Sequence, residues 1–308
     1  MCPCRRPARD PPGPARSDGK PTETKPPPNR RQEAMTESST ALRTASEMRG
    51  LDTSKVVIDD DQAPPKIEAG SADEQAALAA MEDLLADGSP SKAASADLKL
   101  MCLRGRKYDA ARAAALLPEL LALIEELDLA TPTPRLAADL ASGKFVMTGA
   151  TDGAGRKILW LRFRFHDPKV SSPKDFARAA ATVMLHALRD ADTARCGVAV
   201  LQDMTGLRMK NISPPTAKLM FGQVFPRLPV RLGKLCVYNP PWFVGRILLP
   251  IVRMLLSAKL RARLVVLNGA DREPLYRQFE PASLTEELGG SYPFDLACWA
   301  ASVEPALS

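Results

Sequence analysis

The sequence predicts an α/β fold in which a mixed, mainly parallel β-sheet is flanked by helices. Three short runs rich in Val and Leu, at residues 198–201, 235–238 and 264–267, alternate with helix-like segments. Such alternation is typical of β-α-β units whose parallel strands are buried on both faces. The second observation is an earlier stretch, residues 71–128, in which apolar residues recur at helical spacing, so a small all-helical unit precedes the sheet.

Composition divides the 308-residue chain into three predicted parts. Residues 1–68 are rich in Pro and poor in large apolar side chains. They cannot bury enough surface to offset the entropy of ordering, so they are predicted to be a disordered N-terminal segment. Residues 71–128 form the predicted helical subdomain, and residues 133–300 form the predicted α/β domain.

Two helices of the helical subdomain have recognisable starts. Ser71 is a predicted N-cap, and Glu74 stands three residues later at the spacing of a capping box. Asp109 is the predicted N-cap of a helix that runs to about residue 127. Pro118 lies inside this helix and is expected to kink it or divide it in two.

The α/β domain begins with a predicted hairpin. Residues 143–146 form its first strand, TDGAGRK its turn, and residues 158–165 its second strand. Residues 173–189 have the apolar spacing of an amphipathic helix. Residues 271–279 are predicted to form a short helix after the last strand.

Positive charge is concentrated on the predicted β-α-β region. Residues 196–269 hold eleven Lys and Arg but one acid, Asp203, whereas the whole chain carries a formal charge of +6. A segment that is both apolar and basic suits a greasy, negatively charged partner such as a phospholipid membrane. We expect no nucleic-acid binding, because the basic residues are interleaved with aliphatic side chains rather than with aromatic residues that stack on bases.

No catalytic motif is recognisable in the sequence. It contains no GxSxG, P-loop, HExxH or strand-linked GxGxxG pattern, and His166 and His186 are expected to be structural or exposed. The six cysteines form no CxxC pair, so a structural zinc site is not expected. We therefore predict a protein that is not an enzyme and that carries no cofactor and no metal.

The most apolar stretch of the chain is residues 235–256. Two arginines and three prolines interrupt it, whereas a membrane-spanning helix needs about 20 uninterrupted apolar residues. The first thirty residues lack the apolar core of a secretory signal. These features predict a cytoplasmic protein.

Six segments, in order along the chain, resemble a known family. They are LRGRKYDAARA, DGAGRK, AVLQDMTGL, RLGKLCVYNPPWF, ARLVVLNG and LTEELGG. Together they resemble the CRAL-TRIO lipid-binding family, in the type of the yeast phosphatidylinositol transfer proteins, which carry an N-terminal helical subdomain. The resemblance covers about residues 73–300.

The resemblance implies that the sheet forms the floor of an apolar cavity for one lipid and that a mobile gate helix closes it. Here the gate spans about residues 242–256, where WFVGRILLPIVRMLL is apolar nearly all round. That pattern suits a helix that covers a lipid on one side and enters a bilayer on the other. The implied lipid-binding residues are Trp242, Phe243, Ile247, Leu248, Ile251, Leu255, Tyr238 and Val200.

Basic residues complete the predicted site. Arg246 and Arg253 lie seven residues apart and so share a helix face, from which they are expected to meet membrane phosphates. Lys259 is expected to join them in docking. The predicted head-group residues are Arg263, Arg261 and Lys234.

The identity of the lipid stays open at this stage. Relatives that transfer phosphatidylinositol carry an acidic residue in a P-E-R-hydrophobic-G-K pattern and a basic residue before the strand that follows the gate. Val230 occupies the acidic position here, whereas Arg263 matches the basic position.

The predicted function is non-catalytic binding and transfer of a hydrophobic lipid, such as phosphatidylinositol or phosphatidylcholine. Its predicted partners are that lipid and, transiently, an anionic membrane surface, with the protein a monomer that associates peripherally with membranes. The alternative is a protein-interaction module on the same fold, a regulator or scaffold in small-GTPase or membrane-trafficking signalling, with no lipid cargo.

Overall fold

A computed structural model of the chain describes residues 38–44, 66–249, 258–268 and 271–303, without the side chains of Ile247 and residues 258–260. The helices are α1 (residues 38–44), α2 (Ala72–Asp83), α3 (Pro90–Ala93), α4 (Ala96–Gly105), α5 (Ala110–Glu126), α6 (Pro134–Ala141), α7 (Pro173–Leu188), α8 (Ala191–Cys196), α9 (Pro214–Leu219), α10 (residues 242–249), α11 (Ala258–Arg263), α12 (Glu273–Tyr276) and α13 (Leu296–Ser302). The strands are β1 (Phe145–Thr151), β2 (Lys157–Arg162), β3 (Val198–Asp203), β4 (Leu232–Tyr238) and β5 (Leu264–Leu267).

The strands form one sheet in which they lie in their order along the chain. β1 is antiparallel to β2, and β2 to β5 are parallel. Because parallel connections are right-handed, a sheet that grows in one direction places its crossover helices on one face. The predicted α/β fold with a mixed, mainly parallel sheet is therefore confirmed.

Register assigns the strand residues to two faces. Val200 lies opposite Leu235, and Leu235 lies opposite Leu264, so these three share one face, which we name the helix face because α7 and α10 pack on it. The alternate residues, such as Cys236 and Val265, point to the other face. We name it the C-terminal face, because the chain after β5 covers it.

The helical region in front of the sheet follows the predicted caps. Asp109 accepts a hydrogen bond from the Arg112 N–H at 3.0 Å, which confirms it as the N-cap of α5. Pro118 does not divide this helix, which is continuous over Ala110–Glu126. Its apolar side, including Leu117 and Leu120, is fully buried, so packing offsets the backbone hydrogen bond that a proline removes.

The start of α2 keeps its cap but not the full capping box. Ser71 accepts from the Glu74 N–H at 3.2 Å. The Glu74 carboxylate does not return to Ser71, because it is bound by Arg104 at 2.8 Å and by the Tyr108 hydroxyl at 2.9 Å. The carboxylate also accepts from the Gly70 N–H at 2.7 Å, so Glu74 joins the start of α2 to α4 through a buried ion pair.

Part of the predicted disordered segment is ordered. Residues 38–44 form α1, in which Ala41 and Thr44 are buried. Ala41 packs in the same apolar cluster as Phe243 and Leu248 of α10. This differs from the disorder predicted for residues 1–68, of which 1–37 and 45–65 lie outside the described residues.

β2 is shorter than predicted. It ends at Arg162, and Phe163–Phe165 form a 3-10 turn instead of the last part of a strand. In this turn Arg164 reaches the end of β3, where it donates to Asp203 at 2.8 Å. A side chain at that position in a continued strand would point to one face of the sheet and away from the end of its neighbour.

The observed bounds of the other strands and helices differ less from the predicted bounds. β1 extends to Thr151 rather than to residue 146, and α12 covers Glu273–Tyr276 rather than residues 271–279. The predicted helix over residues 173–189 is α7, and Ser172 and Asp175 form a reciprocal capping box at its start.

Candidate functional site

The segment after β4 turns sharply into α10. Asn239 has a φ of 50°, in the left-handed region, and its N–H donates to Leu267 O at 2.8 Å. Pro240 and Pro241 follow, and the N–H groups of the next turn bond to Pro241 O at 2.9 and 3.0 Å. Prolines suit this position because the first N–H groups of a helix have no partner inside it. The sequence NPPWF therefore fixes where the helix begins.

The described part of α10 has a buried and an exposed side. Phe243, Val244, Leu248 and Leu249 are buried in a cluster with Val237 of β4 and with the loop after β3. Trp242, by contrast, is 42% exposed, and Arg246 is exposed as well. The helix is thus anchored by one side while an aromatic ring and a cation face outward.

Apolar side chains are incompletely covered on the adjoining part of the helix face. Leu235, Leu264 and Val266 are half-buried, although they lie on parallel strands. We name these three the floor. On the same face, Leu159 and Val200 are 7% and 8% exposed, because they pack in the large apolar cluster to which α7 belongs. Parallel strands are usually buried on both faces, so the floor departs from the rule.

The structure brings some predicted lipid-binding residues together and separates others. Phe243 and Leu248 lie in the α10 cluster next to the floor, with Trp242 at its surface. Val200 shares their face but lies under α7. Tyr238 was predicted to share a site with α10, but it lies on the C-terminal face.

Other predicted residues fall outside the described part of the chain. These are Ile251, Leu255 and Arg253, together with the side chains of Ile247 and Lys259.

The predicted head-group residues do not converge either. Arg263 is 7% exposed, and its guanidinium donates to Leu232 O, which joins α11 to the start of β4. Arg261 is exposed. Lys234 points to the C-terminal face, where it donates to Gln278 O at 2.9 Å and lies 4.9 Å from the centroid of the Phe279 ring.

Lys234 is held by structural contacts. Burial lowers its pKa, although the Asp152 carboxylate, with one oxygen 3.9 Å from the ammonium, opposes that shift. Asp152 itself accepts from the Arg156 guanidinium at 2.7 Å. The sequence pattern could not show this, because a side chain's face depends on strand register and a slip of one residue reverses it.

Sequence reasoning missed an ionic network at the carboxyl ends of β2 and β3. Arg164 donates to Asp203 at 2.8 Å and also to Glu287, which accepts from Arg162 at 2.8 Å. The two arginines alternate with Phe163 and Phe165 at the end of an apolar run, and this was the signal available in the sequence. The network fastens the LTEELGG segment to the sheet beside α10.

A second buried network lies at the start of β1. Lys144 and Asp139 are each 1% exposed, and the ammonium donates to the carboxylate at 2.6 Å and to the Ser171 hydroxyl at 3.0 Å. Burial lowers the pKa of Lys144, and Asp139 opposes this. His166 is 3% exposed beside them, and burial followed by the Lys144 charge lowers its pKa to about 4.

Neither a transmembrane helix nor a metal centre can be assigned among the described residues. Each helix in those ranges is too short or too polar to traverse a bilayer. The same ranges bring no three His, Cys, Asp or Glu side chains into a group that could hold a metal ion.

Comparison with known proteins identifies the α/β region. The tyrosine-protein phosphatase non-receptor type 9 of mouse, human and rat is 28% identical to the chain over 165 residues. The aligned part is 53% of this chain but 27% of each phosphatase, so the chain spans about a quarter of these relatives. Residues 140–290 match the CRAL/TRIO domain family. This region, which holds the sheet, the floor and α10, is therefore a CRAL/TRIO domain.

Proposed function

We propose that this protein binds one hydrophobic lipid against the floor and transfers or presents it at anionic membranes. A CRAL/TRIO domain implies lipid binding or a transfer-type function in general, with a small hydrophobic ligand. The proposal adds the place of the ligand, the role of α10 as the start of a gate, and transient peripheral docking from the cytoplasm. The helices α2 to α5 are then the helical subdomain of the yeast-type transfer proteins.

The observation that carries the proposal is the incomplete burial of the floor. Leu235, Leu264 and Val266 are apolar, lie on neighbouring parallel strands, and are half-buried beside an anchored helix. Burying apolar surface is worth about 25 cal/mol per Å², so such a surface is costly in water unless another apolar group covers it. A lipid acyl chain supplies that cover.

Transfer energetics favour this arrangement. Exposing a lipid to water costs about 0.8 kcal/mol per methylene, so a two-chain lipid costs on the order of 20 kcal/mol. A protein site that replaces bilayer hydrocarbon with protein hydrocarbon avoids most of this cost. The site must then open at the membrane, and α10 is suited to do so because Trp242 and Arg246 already face outward.

The head-group chemistry rests on Arg263. Its guanidinium is buried at the start of β5, and guanidinium groups bind phosphates through two parallel hydrogen bonds. Val230 is half-buried and packs against the apolar core, so the acidic partner of the inositol-lipid pattern is replaced by a core contact. We therefore propose a phospholipid ligand without assigning inositol.

We propose no phosphatase activity for this chain. The relatives are named tyrosine phosphatases, but the match covers 27% of their length and corresponds to the CRAL/TRIO part. Such domains are generally non-catalytic lipid-binding domains.

A lipid-transfer assay between vesicles tests the proposal with two substitutions on one strand. Leu264→Trp fills the floor, whereas Val265→Trp adds the same bulk to the opposite face, and both positions are half-buried. We expect transfer to fall at least about tenfold in the first variant and to change little in the second. Equal transfer by the two folded variants would remove the floor as the ligand site.

A further inference from the structure

The most exposed large apolar side chains are unevenly distributed. In the part of the chain that the structure describes, five such residues stand out, and three of them, Phe165, Val170 and Trp242, are 44%, 60% and 42% exposed. They lie on loops that follow β2 and β4. Leu42 belongs to α1, which packs on α10, and Leu84 lies apart at the end of α2. Large exposed apolar side chains on neighbouring segments point to an interaction surface.

Strand register places these loops at one edge of the sheet. Arg162, Asp203 and Tyr238 are the last residues of β2, β3 and β4 and lie side by side. Neighbouring strands are about 4.8 Å apart, so the loops that follow β2 and β4 leave the sheet about 10 Å apart. We name residues 163–172, 204–213 and 239–246 the loop edge.

Two asparagine side chains tie the loop edge together. Asn211, after β3, donates to the His166 carbonyl at 2.8 Å and to the Arg164 carbonyl at 3.3 Å, both after β2. Asn239, after β4, donates to the Thr205 hydroxyl at 3.2 Å. The loops therefore form one connected surface.

Phe165 is held outward by its neighbours. Phe163, in the same 3-10 turn, packs inward against the α10 cluster. The guanidinium carbons of Arg164 and Arg162 lie 4.6 and 5.1 Å from the centroid of the Phe165 ring. Both arginines are fixed by Glu287, so the aromatic ring is exposed on an ordered support.

The charged residues of the loop edge are mostly positive. Its three segments contain five Lys and Arg and one acid, Asp167. Four of the cations are exposed, namely Lys169, Arg208, Lys210 and Arg246. An aromatic and aliphatic surface ringed by cations complements a bilayer with anionic head groups, which attract nearby Lys and Arg side chains.

We propose that the loop edge is a membrane-docking surface for anionic phospholipid bilayers, with Phe165 and Val170 as insertion points in addition to Trp242 on the gate. The role of this docking surface rests on the proposed function, because docking through the loop edge would bring the floor and α10 to the bilayer. The loops after β2 and β3 thus bind the membrane while α10 moves.

Co-sedimentation with vesicles of phosphatidylcholine, with and without phosphatidylserine, tests the docking surface. Arg208→Glu combined with Lys210→Glu should lower partition onto phosphatidylserine vesicles by roughly thirtyfold or more. Phe165→Ser should lower it about tenfold. Leu84→Ser and Arg112→Glu, which change exposed residues away from the loop edge, are the matched controls and should bind as the parent protein does.

A fluorescence measurement covers the case in which Phe165→Ser unfolds. Phe165→Trp in a Trp242→Phe background should show more quenching by brominated acyl chains on vesicle addition than the Trp242→Phe protein alone, which keeps Trp160 and Trp299. Absence of this additional quenching, wild-type binding by both loop-edge variants, or no vesicle binding by the parent protein would each overturn the proposal.

Lipid extraction from the same samples separates this surface from the proposed ligand site. Loop-edge variants that keep a bound lipid but lose vesicle binding support the docking surface. If the parent protein retains no lipid yet docks through Phe165, the docking surface stands and the proposed lipid-carrier function fails.

Discussion

The helix face of the sheet has two halves that differ in cover. Over β1 to β3, the helices of the large core cluster pack on the strands, and Leu159 and Val200 are almost fully buried, whereas Leu161 is half-buried. Over β4 and β5, Leu235 and Leu264 are half-buried although they continue the same rows of the same sheet. Val237, on the same face of β4, is 2% exposed beside α10, and β5 is the edge strand of the sheet, so the incomplete cover beside α10 lies at Leu235, Leu264 and Val266.

This difference separates stability from function. The sealed half, over β1 to β3, packs into the largest apolar cluster of the described residues and also lies next to the buried Lys144–Asp139 pair. The open half gives up part of that stabilisation and keeps an apolar surface that a ligand can complete. Substitutions in the two halves should therefore have opposite signatures, with loss of stability in one and loss of ligand in the other.

The largest effect should come from the buried ion pair of the sealed half. Lys144→Met leaves the buried Asp139 carboxylate with Arg135 and Ser171 as its remaining partners, and breaking a buried pair costs about 3–5 kcal/mol. Urea unfolding would measure the loss. The double variant Lys144→Met with Asp139→Leu is the control, and it should recover part of the stability, because no buried carboxylate has lost a cation and the released Arg135 guanidinium is partly exposed.

Matched leucine truncations compare the two halves directly. Leu159→Ala in the sealed half should lower the free energy of unfolding by about 3 kcal/mol, because it leaves a cavity under α7. Leu264→Ala in the open half should cost about 1 kcal/mol but reduce retained lipid. Equal destabilisation by the two variants would show that the halves do not differ in cover.

The pH dependence of stability should report the sealed half as well. His166 is neutral in the folded protein because its pKa is about 4, below the value of about 6.5 for an unfolded histidine. The unfolded chain therefore binds more protons between these values, and stability should fall as pH decreases from about 6.5 through about 4, by on the order of 2 kcal/mol. Thermal unfolding of the parent protein and of His166→Phe across this pH range measures the loss of stability. If the stability of the variant falls equally steeply with decreasing pH, groups other than His166 cause the effect.

The smallest change in stability should occur at the surface of α10. Trp242→Ser removes a ring that is 42% exposed, so we expect a loss below about 0.5 kcal/mol together with reduced vesicle docking. Phe243→Ser, one residue away, is the contrast, because that ring is 2% exposed and its loss should loosen α10. Similar effects of the two substitutions on thermal unfolding would contradict the assignment of buried and exposed sides.

Local and periodic features were predictable from the sequence. Three of the four parallel strands, the Asp109 cap and the start of α7 follow from apolar spacing and capping residues. α1 was not predictable, because it is short, lies in a Pro-rich segment and is held by tertiary packing of Ala41.

The candidate site was predictable only in outline. NPPWF indicated the turn into α10, but the pattern could not tell that Tyr238 and Lys234 point away from it, since facing depends on register. The Asn211–His166 and Glu287–Arg162 contacts join residues that are 45 and 125 positions apart along the chain, which no local spacing encodes. Such features are set by topology rather than by periodicity.

We propose that a lipid completes the open half of the helix face. Mass spectrometry of the organic extract from the purified protein, after incubation with mixed-lipid vesicles, tests this directly. We expect a single lipid class in equimolar amount, retained by Val265→Trp and lost from Leu264→Trp. A folded parent protein that retains no lipid would contradict it and would favour the protein-interaction module.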